Sequence, residues 1–378
     1  MNMMVTGPAL AGPTLAGTVP AALPLDEMKP WNSARQMLVC TSVVDEAPDV
    51  KTFSFVVEGG GWFRYMPGQF MTVELRAKGG DLHRTYTISS SPSRPYSISI
   101  TIKAQVNSIG TRWMFHNIVP GSRLRAYGPS GHFTLARNPA KKYLFISAGS
   151  GITPMMSMLR WLADCDPSAD VAFLNSARRP EEIIFRDELE MLARRMPNLS
   201  LGFLPEARSA AAPWGGLMGR IDRNKFAMLV PDFMNREIFC CGPEPFMKAV
   251  STIARAEGFD MGHFHQESFG ATSIAEAVHK QAPDVSIDGT SAGLTVSFLG
   301  SNEKTACVPG QTILETARAA GVRIPAACES GICGTCKVLK RSGDVDMRHN
   351  GGISEQEIAG GYVLACCSRP RTPVEVEA

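Results

Sequence analysis

Cys328, Cys333 and Cys336 stand at the spacing C-x4-C-x2-C, and Cys366 follows thirty positions later. Four thiolates so arranged suit a plant-type [2Fe-2S] centre, in which each iron takes soft sulfur ligands in tetrahedral geometry. Three of the four must come from one short loop. Gly331 and Gly334 within it let the backbone turn tightly and bring amide N–H groups toward the sulfurs. A structural zinc also takes four thiolates, but zinc ribbons present paired C-x2-C units, so the spacing favours iron. Chemistry of this kind moves single electrons.

A second constellation is Arg84-Thr85-Tyr86-Thr87, in a stretch of strand-like alternation. A flavin needs an aromatic face against its ring, a hydroxyl near N5 and a cation on its phosphate. Tyr86, Thr87 and Arg84 supply these, the last through the paired N–H donors of a guanidinium. Lys103 adds a further cation. Gly110-Thr111 precedes the amphipathic run Arg112–Ile118, and amides at a helix start can cradle phosphate. A simple helix cap also explains Gly110-Thr111 locally.

A third constellation follows an apolar run at 143–147: Gly149-Ser150-Gly151-Ile152-Thr153-Pro154. It is neither a Walker A loop nor a full G-x-G-x-x-G. Gly149 and Gly151 nevertheless permit a tight turn and close approach to a pyrophosphate, with Thr153 as the expected helix cap and Pro154 at the first helical position. Two further pieces fall at the ends of later apolar runs, where open parallel sheets bind ligands. Ser176 and Arg178 are placed to meet an adenosine ribose, and Cys241-Gly242-Pro243 offers a small polarizable thiol beside a nicotinamide ring. Cys240 is expected to be structural.

The elements that must position these groups follow from pattern. Short alternating runs at 52–57, 69–75, 85–89 and 97–103 predict an antiparallel β-barrel over 37–138. From 139 to 270 apolar strands (143–147, 171–174, 237–240) alternate with amphipathic helices (154–163, 181–195, 245–256), which predicts an α/β domain with a parallel sheet. Residues 271–291 read as a linker, and 292–378 as an α+β domain opening with a strand at 294–298 and a helix at 313–320. Residues 1–36, rich in Pro, Gly and Ala without periodicity, read as a disordered extension.

Composition excludes several classes. A formal net charge of +2 gives no basic field for nucleic acid. No run of eighteen apolar residues suggests a membrane span, and no Lys or Arg precedes Lys29, so a basic signal-peptide n-region is lacking. Beyond the four clustered cysteines, the other six show no disulfide framework, which points to a reducing, cytoplasmic setting.

The order of R-x-Y-T, then Gly128-Pro129-Ser130-Gly131-His132-Phe133, then G-x-G-x-T-P, then C-G-P-x-x-x-M, then the cysteine loop resembles the ferredoxin-NADP reductase superfamily with a C-terminal ferredoxin domain. One departure is Thr87, where that family commonly has Ser. The resemblance implies a flavin β-barrel, a nucleotide-binding α/β domain and a β-grasp ferredoxin domain. It also implies FAD, although FMN fits the same motif, and NADH, although Arg178 and Arg179 also suit NADPH. The stretches His265–Ala271 and Met347–Ser354 through Cys367 are similar to reductase components of glycine betaine demethylating monooxygenases, and also to NADH reductases of hybrid-cluster proteins. By that likeness Glu267 and Phe269 lie near the flavin, with Thr87, Cys241 and Glu267 tuning the redox chemistry. The implied partner is a Rieske-type oxygenase met in transient docking by a monomer; a redox-sensing module is the reading from a different class.

Overall fold

A computed structural model of the chain describes residues 36–77, 80–106, 108–267, 294–326, 329, 331, 334–349, 352–353 and 355–378. The expected extension 1–36, but for Gln36, and the expected linker 271–291 lie outside the described residues, as do Phe269, Cys328 and Cys333.

The first unit is built from β1 (Gln36–Ala47), β2 (Val50–Val57), β3 (Phe70–Ala77), β4 (Gly80–Thr87), β5 (Ile98–Lys103) and β6 (Arg123–Ser130), with α1 (Ile109–Asn117) between the last two strands. Their order is β4-β3-β6-β1-β2-β5, antiparallel at every pairing. An Ile88–Ile100 bridge and the Ser89 N–H to Ser99 carbonyl bond join β4 back to β5, so the sheet closes into a barrel. Met71, Val73 and Leu75 alternate into a core shared with Phe53, Phe55 and Ile100. Two strands, β1 and β6, were not anticipated as separate runs. Charged residues such as Asp45, Arg123 and Arg125 break their apolar alternation.

The second unit is α/β: β7 (Lys142–Ala148), α2 (Ile152–Cys165), β8 (Asp170–Ala177), α3 (Arg186–Arg195), β9 (Leu199–Pro205), α4 (Arg223–Leu229), β10 (Glu237–Cys241), α5 (Glu244–Ala256) and β11 (Phe264–Glu267). All its strands run parallel, in the order β11-β10-β7-β8-β9. Helices on both faces explain why β7 and β8 are buried almost without alternation. The expected helix over 181–195 is two pieces, a 3₁₀ turn at Pro180–Glu182 and α3, with Phe185 between them at φ 59. Strands β9 and β11 were missed because their exposed or polar residues dilute the apolar signal at the two edges of the sheet.

The third unit contains β12 (Thr295–Phe298), β13 (Glu303–Ala306), α6 (Ile313–Ala319), β14 (Lys337–Ser342), β15 (Val345–Met347), α7 (Glu355–Ala359), β16 (Tyr362–Leu364), β17 (Ser368–Pro370) and β18 (Val374–Glu377). A mixed sheet, β13-β12-β18-β14-β16, packs against α6, whose Thr312–Glu315 capping box fixes its start. No helix among the described residues is long and apolar enough to cross a membrane.

At the N-terminal ends of the parallel strands, Arg236 is 9 % exposed. It donates to both carboxylate oxygens of Asp232, to Asp170 and to the Tyr143 carbonyl, binding β7, β8 and the approach to β10 together. Removing one partner of a mostly buried ionic network leaves charges uncompensated. Arg236→Ala is expected to cost about 3 kcal/mol of stability, checked by the midpoint of urea denaturation against the unaltered chain.

Candidate functional site

The site forms where the end of β4, the turn after β7 and the ends of β8, β10 and β11 come together. Helix α2 sets this arrangement by docking on the barrel immediately after the Arg84–Thr87 run. Ser157 Oγ donates to the Ser90 carbonyl (2.8 Å) and Arg160 to that of Ser89 (2.6 Å). Arg94 clasps Asp164 at the far end of α2 with two hydrogen bonds (3.0 and 2.8 Å). Phe133 of the barrel meets Phe239 of β10 edge-on, 5.3 Å between centroids.

Tyr86 and Thr87 sit at the end of β4, and among the described residues neither the Tyr86 hydroxyl nor Thr87 Oγ1 has a hydrogen-bond partner, although both atoms are buried. Burial pushes the Tyr86 hydroxyl well above its usual pKa, so it stays protonated. Arg84 lies half-buried against the first turn of α1, donating to the His83 carbonyl at 2.8 Å. Gly110 is required there, since a Cβ would fall 2.8 Å from Arg84 Cγ.

The start of α1 differs from expectation. The helix begins at Ile109 with Ser108 as its N-cap, whose Oγ accepts from the Thr111 N–H, while Thr111 Oγ1 accepts from the Gln105 N–H. Thr111 is thus a first-turn residue, and the capping serine was overlooked beside the more conspicuous Gly-Thr pair. Lys103 is paired with Glu182 of the second unit at 2.8 Å. It serves the junction between the units rather than offering an unpaired cation.

In the turn after β7, a 3₁₀ segment Gly149–Gly151 leads into α2. Thr153 does not cap the helix: it is the second helical residue, donating from Oγ1 to the Ser150 carbonyl at 3.1 Å, and Pro154 is the third. Proline remains tolerable because the first turn lacks intrahelical acceptors for its N–H groups. The two glycines have different reasons. Gly149 has φ +53 and open space where a Cβ would be, whereas at Gly151 a Cβ would lie 2.3 Å from the Cys241 carbonyl oxygen and 2.6 Å from the Gly242 N. Gly149 faces outward from the turn; Gly151 lets β7 and β10 end side by side.

Cys241 and Glu267 are register partners across β10 and β11. Cys241 points to the face shared with Phe133 and α2, and Cys240 to the opposite core. Burial, helped by the neighbouring Glu267, raises the Cys241 thiol well above its usual value. Burial raises Glu267 to about 8, so the carboxyl is protonated at neutral pH. Its Oε2 has no hydrogen-bond partner among the described residues, and neither has buried Ser176 Oγ at the end of β8. Gly242 is buried behind this pair, with Pro243 exposed at the start of α5.

Beyond Ser176, Arg178 and Arg179 are exposed. Nothing in the local motif singles out Glu181, yet Ser209 from the loop after β9 donates to its Oε1 at 2.7 Å, holding the carboxyl below its usual range, and Oε2 has no partner among the described residues. The Ser209 partner is 28 residues away. Only the fold reveals that pairing.

In the third unit, Cys336 and Cys366 are buried, and the Cys366 N–H points at Cys336 Sγ (3.4 Å). Cys366 lies in the turn between β16 and β17. Hydrogen bonds with Cys336 and Cys367 pull its thiol far down, to about 3. The paired sulfurs therefore favour the thiolate that iron requires. Cys367 instead turns toward the Leu364 carbonyl. Ordinary folded proteins satisfy nearly all buried polar atoms. Unpaired atoms at Tyr86 and Thr87 on the end of β4, and at Ser176 and Glu267 on the ends of β8 and β11, fit a flavin and a nucleotide.

Comparison with known proteins agrees. Residues 38–135 match an oxidoreductase FAD-binding domain, 145–252 an oxidoreductase NAD-binding domain and 297–371 a 2Fe-2S iron-sulfur cluster binding domain. The chain is 48 % identical to the stachydrine N-demethylase reductase subunit Stc4 of Rhizobium meliloti, covering 92 % of this chain and 98 % of that protein. The chain belongs to the ferredoxin-NADP reductase superfamily, among members fused to a [2Fe-2S] domain. Within it, the glycine betaine monooxygenase reductase subunit of Chromohalobacter salexigens is 42 % identical over 92 % of this chain and 96 % of its own length. The NADH oxidoreductase HCR of Escherichia coli is 32 % identical over 90 % and 97 %. Among solved superfamily structures, phthalate dioxygenase reductase matches with a TM-score of 0.55 at 24 % identity, covering 91 % of this chain and 98 % of that one, which shares the fold. As a superfamily member, the chain is an oxidoreductase with FAD-, NAD- and [2Fe-2S]-binding domains.

Glu267 gives a direct pH test. Unfolded, its carboxyl loses its proton near 4.5; folded, near 8. Its contribution to stability is therefore fully present below 4.5, is lost as pH rises toward 8, and is level above that. Thermal unfolding of the cofactor-free chain should show this decline, and Glu267→Gln, which cannot ionise, should flatten it.

Proposed function

We propose that this chain is the reductase of a two-component system, taking hydride from NADH and delivering single electrons to a Rieske-type oxygenase that demethylates glycine betaine or a related quaternary ammonium compound. The observation that carries the reading is full-length similarity, through all three units, to reductase subunits of glycine betaine monooxygenase and stachydrine N-demethylase. Similarity to HCR makes a hybrid-cluster acceptor the competing reading, supported at lower identity.

Bound flavin and a [2Fe-2S] cluster supply the conversion of a two-electron donor into one-electron deliveries. The chain's own residues then have definable tasks. Tyr86 offers its ring and Thr87 its hydroxyl to the flavin, Arg84 holds phosphate, and the first turn of α1 at Gly110 and Thr111 adds amide dipoles. Lys103, through Glu182, steadies the barrel against the nucleotide unit. The Gly149–Pro154 turn receives the pyrophosphate, Ser176 and Arg178 the ribose end, and Cys241-Gly242-Pro243 the nicotinamide side. Protonated Glu267 presents a neutral donor at the ring without adding a charge that would oppose reduction. Cys328, Cys333, Cys336 and Cys366 hold the cluster, and Phe269 completes the flavin pocket. A cytoplasmic monomer docking transiently suits the modest net charge and the six unbridged cysteines.

Glu181, ionised and held by Ser209, supports the choice of NADH. A ribose 2′-hydroxyl can donate to the carboxylate, whereas a 2′-phosphate would meet like charge. Glu181→Gln is expected to raise the KM for NADH about fivefold with kcat little changed, and to narrow the NADH:NADPH preference in steady-state assays.

The reconstituted chain should be mixed with NADH and the Rieske oxygenase component of a glycine betaine or stachydrine system. The expected result is substrate-dependent NADH oxidation with release of formaldehyde. NADH-driven reduction of a hybrid-cluster protein, with neither oxygenase served, would move the assignment to the competing reading.

A further inference from the structure

On the barrel wall Thr72 and Glu74 alternate with Met71, Val73 and Leu75, so they point away from the barrel core. Their register partners on β4 are Thr85 and His83, and on β6 Tyr127 and Arg125. An outward-facing row on a small barrel is ordinarily solvated. Here Thr72 is 2 % exposed, Glu74 9 % and His83 8 %. At Thr72 the third unit reaches this row: Thr72 Oγ1 meets Oγ1 of Thr335, the residue before Cys336, at 3.4 Å. Inside this covered patch His83 Nε2 lies 3.5 Å from Glu74 Oε1, with the Tyr127 ring 6.0 Å from the imidazole.

Two further electrostatic contacts cross the same junction. Glu329 of the third unit acts on Arg84, and His349 on His132. The first of these is attractive, an anion of the third unit beside a barrel cation, and the second sets two imidazoles near each other.

We propose that Thr72, Glu74 and His83 form the seat on which the [2Fe-2S] unit docks, and that they act as positioning residues for electron passage from the flavin side to the cluster side. This rests on the reductase reading above. The chemistry fits a seat rather than a binding site for a small ligand. A carboxylate and an imidazole enclosed together are costly to separate, so the pair holds this stretch of the β3–β4 wall in a fixed shape beside the Thr72–Thr335 contact. His83 and Thr85 also flank Arg84, and Thr85 immediately precedes Tyr86 in the same strand. Where Thr335 rests on Thr72 is thus one strand pairing away from the flavin motif. Electron transfer falls steeply with separation, so a loosened seat slows this internal step and leaves hydride arrival untouched.

The test uses the full chain loaded with FAD and cluster, its iron and sulfide measured, carrying His83→Ala, Glu74→Gln or Thr72→Ala. Ferricyanide, which accepts electrons from the flavin, reports the first half of the route; cytochrome c, served through the cluster, reports the whole. For His83→Ala the cytochrome c rate is expected to fall about tenfold relative to ferricyanide at equal cluster content. Stopped-flow mixing should show flavin bleaching by NADH unchanged and cluster bleaching delayed. Small-angle scattering of the cofactor-free chain should show a larger radius of gyration than the unaltered protein, a readout independent of turnover.

An unchanged ratio with an unchanged radius in all three variants overturns the proposal. If His83→Ala loses ferricyanide activity as well, Thr72→Ala, which removes one hydroxyl and no charge, decides by the same ratio and radius. Should the unaltered chain reduce neither acceptor with NADH, the reductase reading itself has failed, a result distinct from a normal ferricyanide rate with an unaltered ratio.

Discussion

The carbonyl oxygens of Ser89 and Ser90 hold the working parts of this molecule in register. They belong to the chain just after β4, within three residues of Thr87, and they accept from Arg160 and Ser157 on α2. Helix α2 in turn starts at the glycine turn that ends β7. One pair of hydrogen bonds therefore fixes the flavin strand against the nucleotide turn. The burial of Arg160, which also engages Glu188 and packs its guanidinium on Phe185, makes the contact stiff. Everything the site does presupposes that stiffness, because hydride chemistry tolerates little error in position.

The electrostatics are consistent with this role. Cys241 and Glu267 lie side by side, and burial keeps both protonated at neutral pH. A junction that must accept negative charge from a donor is thereby lined with neutral hydrogen-bonding groups instead of anions. The cysteine loop shows the opposite bias: hydrogen bonding draws Cys366 toward its thiolate. The same element, sulfur, is thus held in two protonation states by two kinds of surroundings, apolar at the end of β10 and hydrogen-bonded in the β16–β17 turn.

Much of this was legible in the sequence wherever the chemistry is local. The cysteine spacing, Arg84–Thr87 and Gly149–Pro154 are short runs whose residue types already state their use, and the barrel, parallel-sheet and α+β classes follow from periodicity. What escaped was whatever depends on distant partners. Lys103 looked like an unclaimed cation until Glu182, 79 residues on, was seen beside it. Glu181 gained meaning only from Ser209, and Glu74 and His83 only from their pairing across β3 and β4. Gly151 was read as space for a ligand, whereas the protein's own Cys241 carbonyl occupies that approach. Edge strands β9 and β11 were missed for a related reason: their neighbours in space, not in sequence, make them strands.

The Ile88–Ile100 bridge that closes the barrel has a mechanical consequence. Strand β4 is hydrogen-bonded to β3 along its length and tied to β5 just past its end, so the chain leaving it is pinned from both flanks at Ile88 and Ser89. Tyr86 and Thr87 consequently sit immediately before that pinned point. To shift this end of the strand, hydrogen bonds toward both β3 and β5 would have to break together, so it resists displacement by whatever is seated beside it.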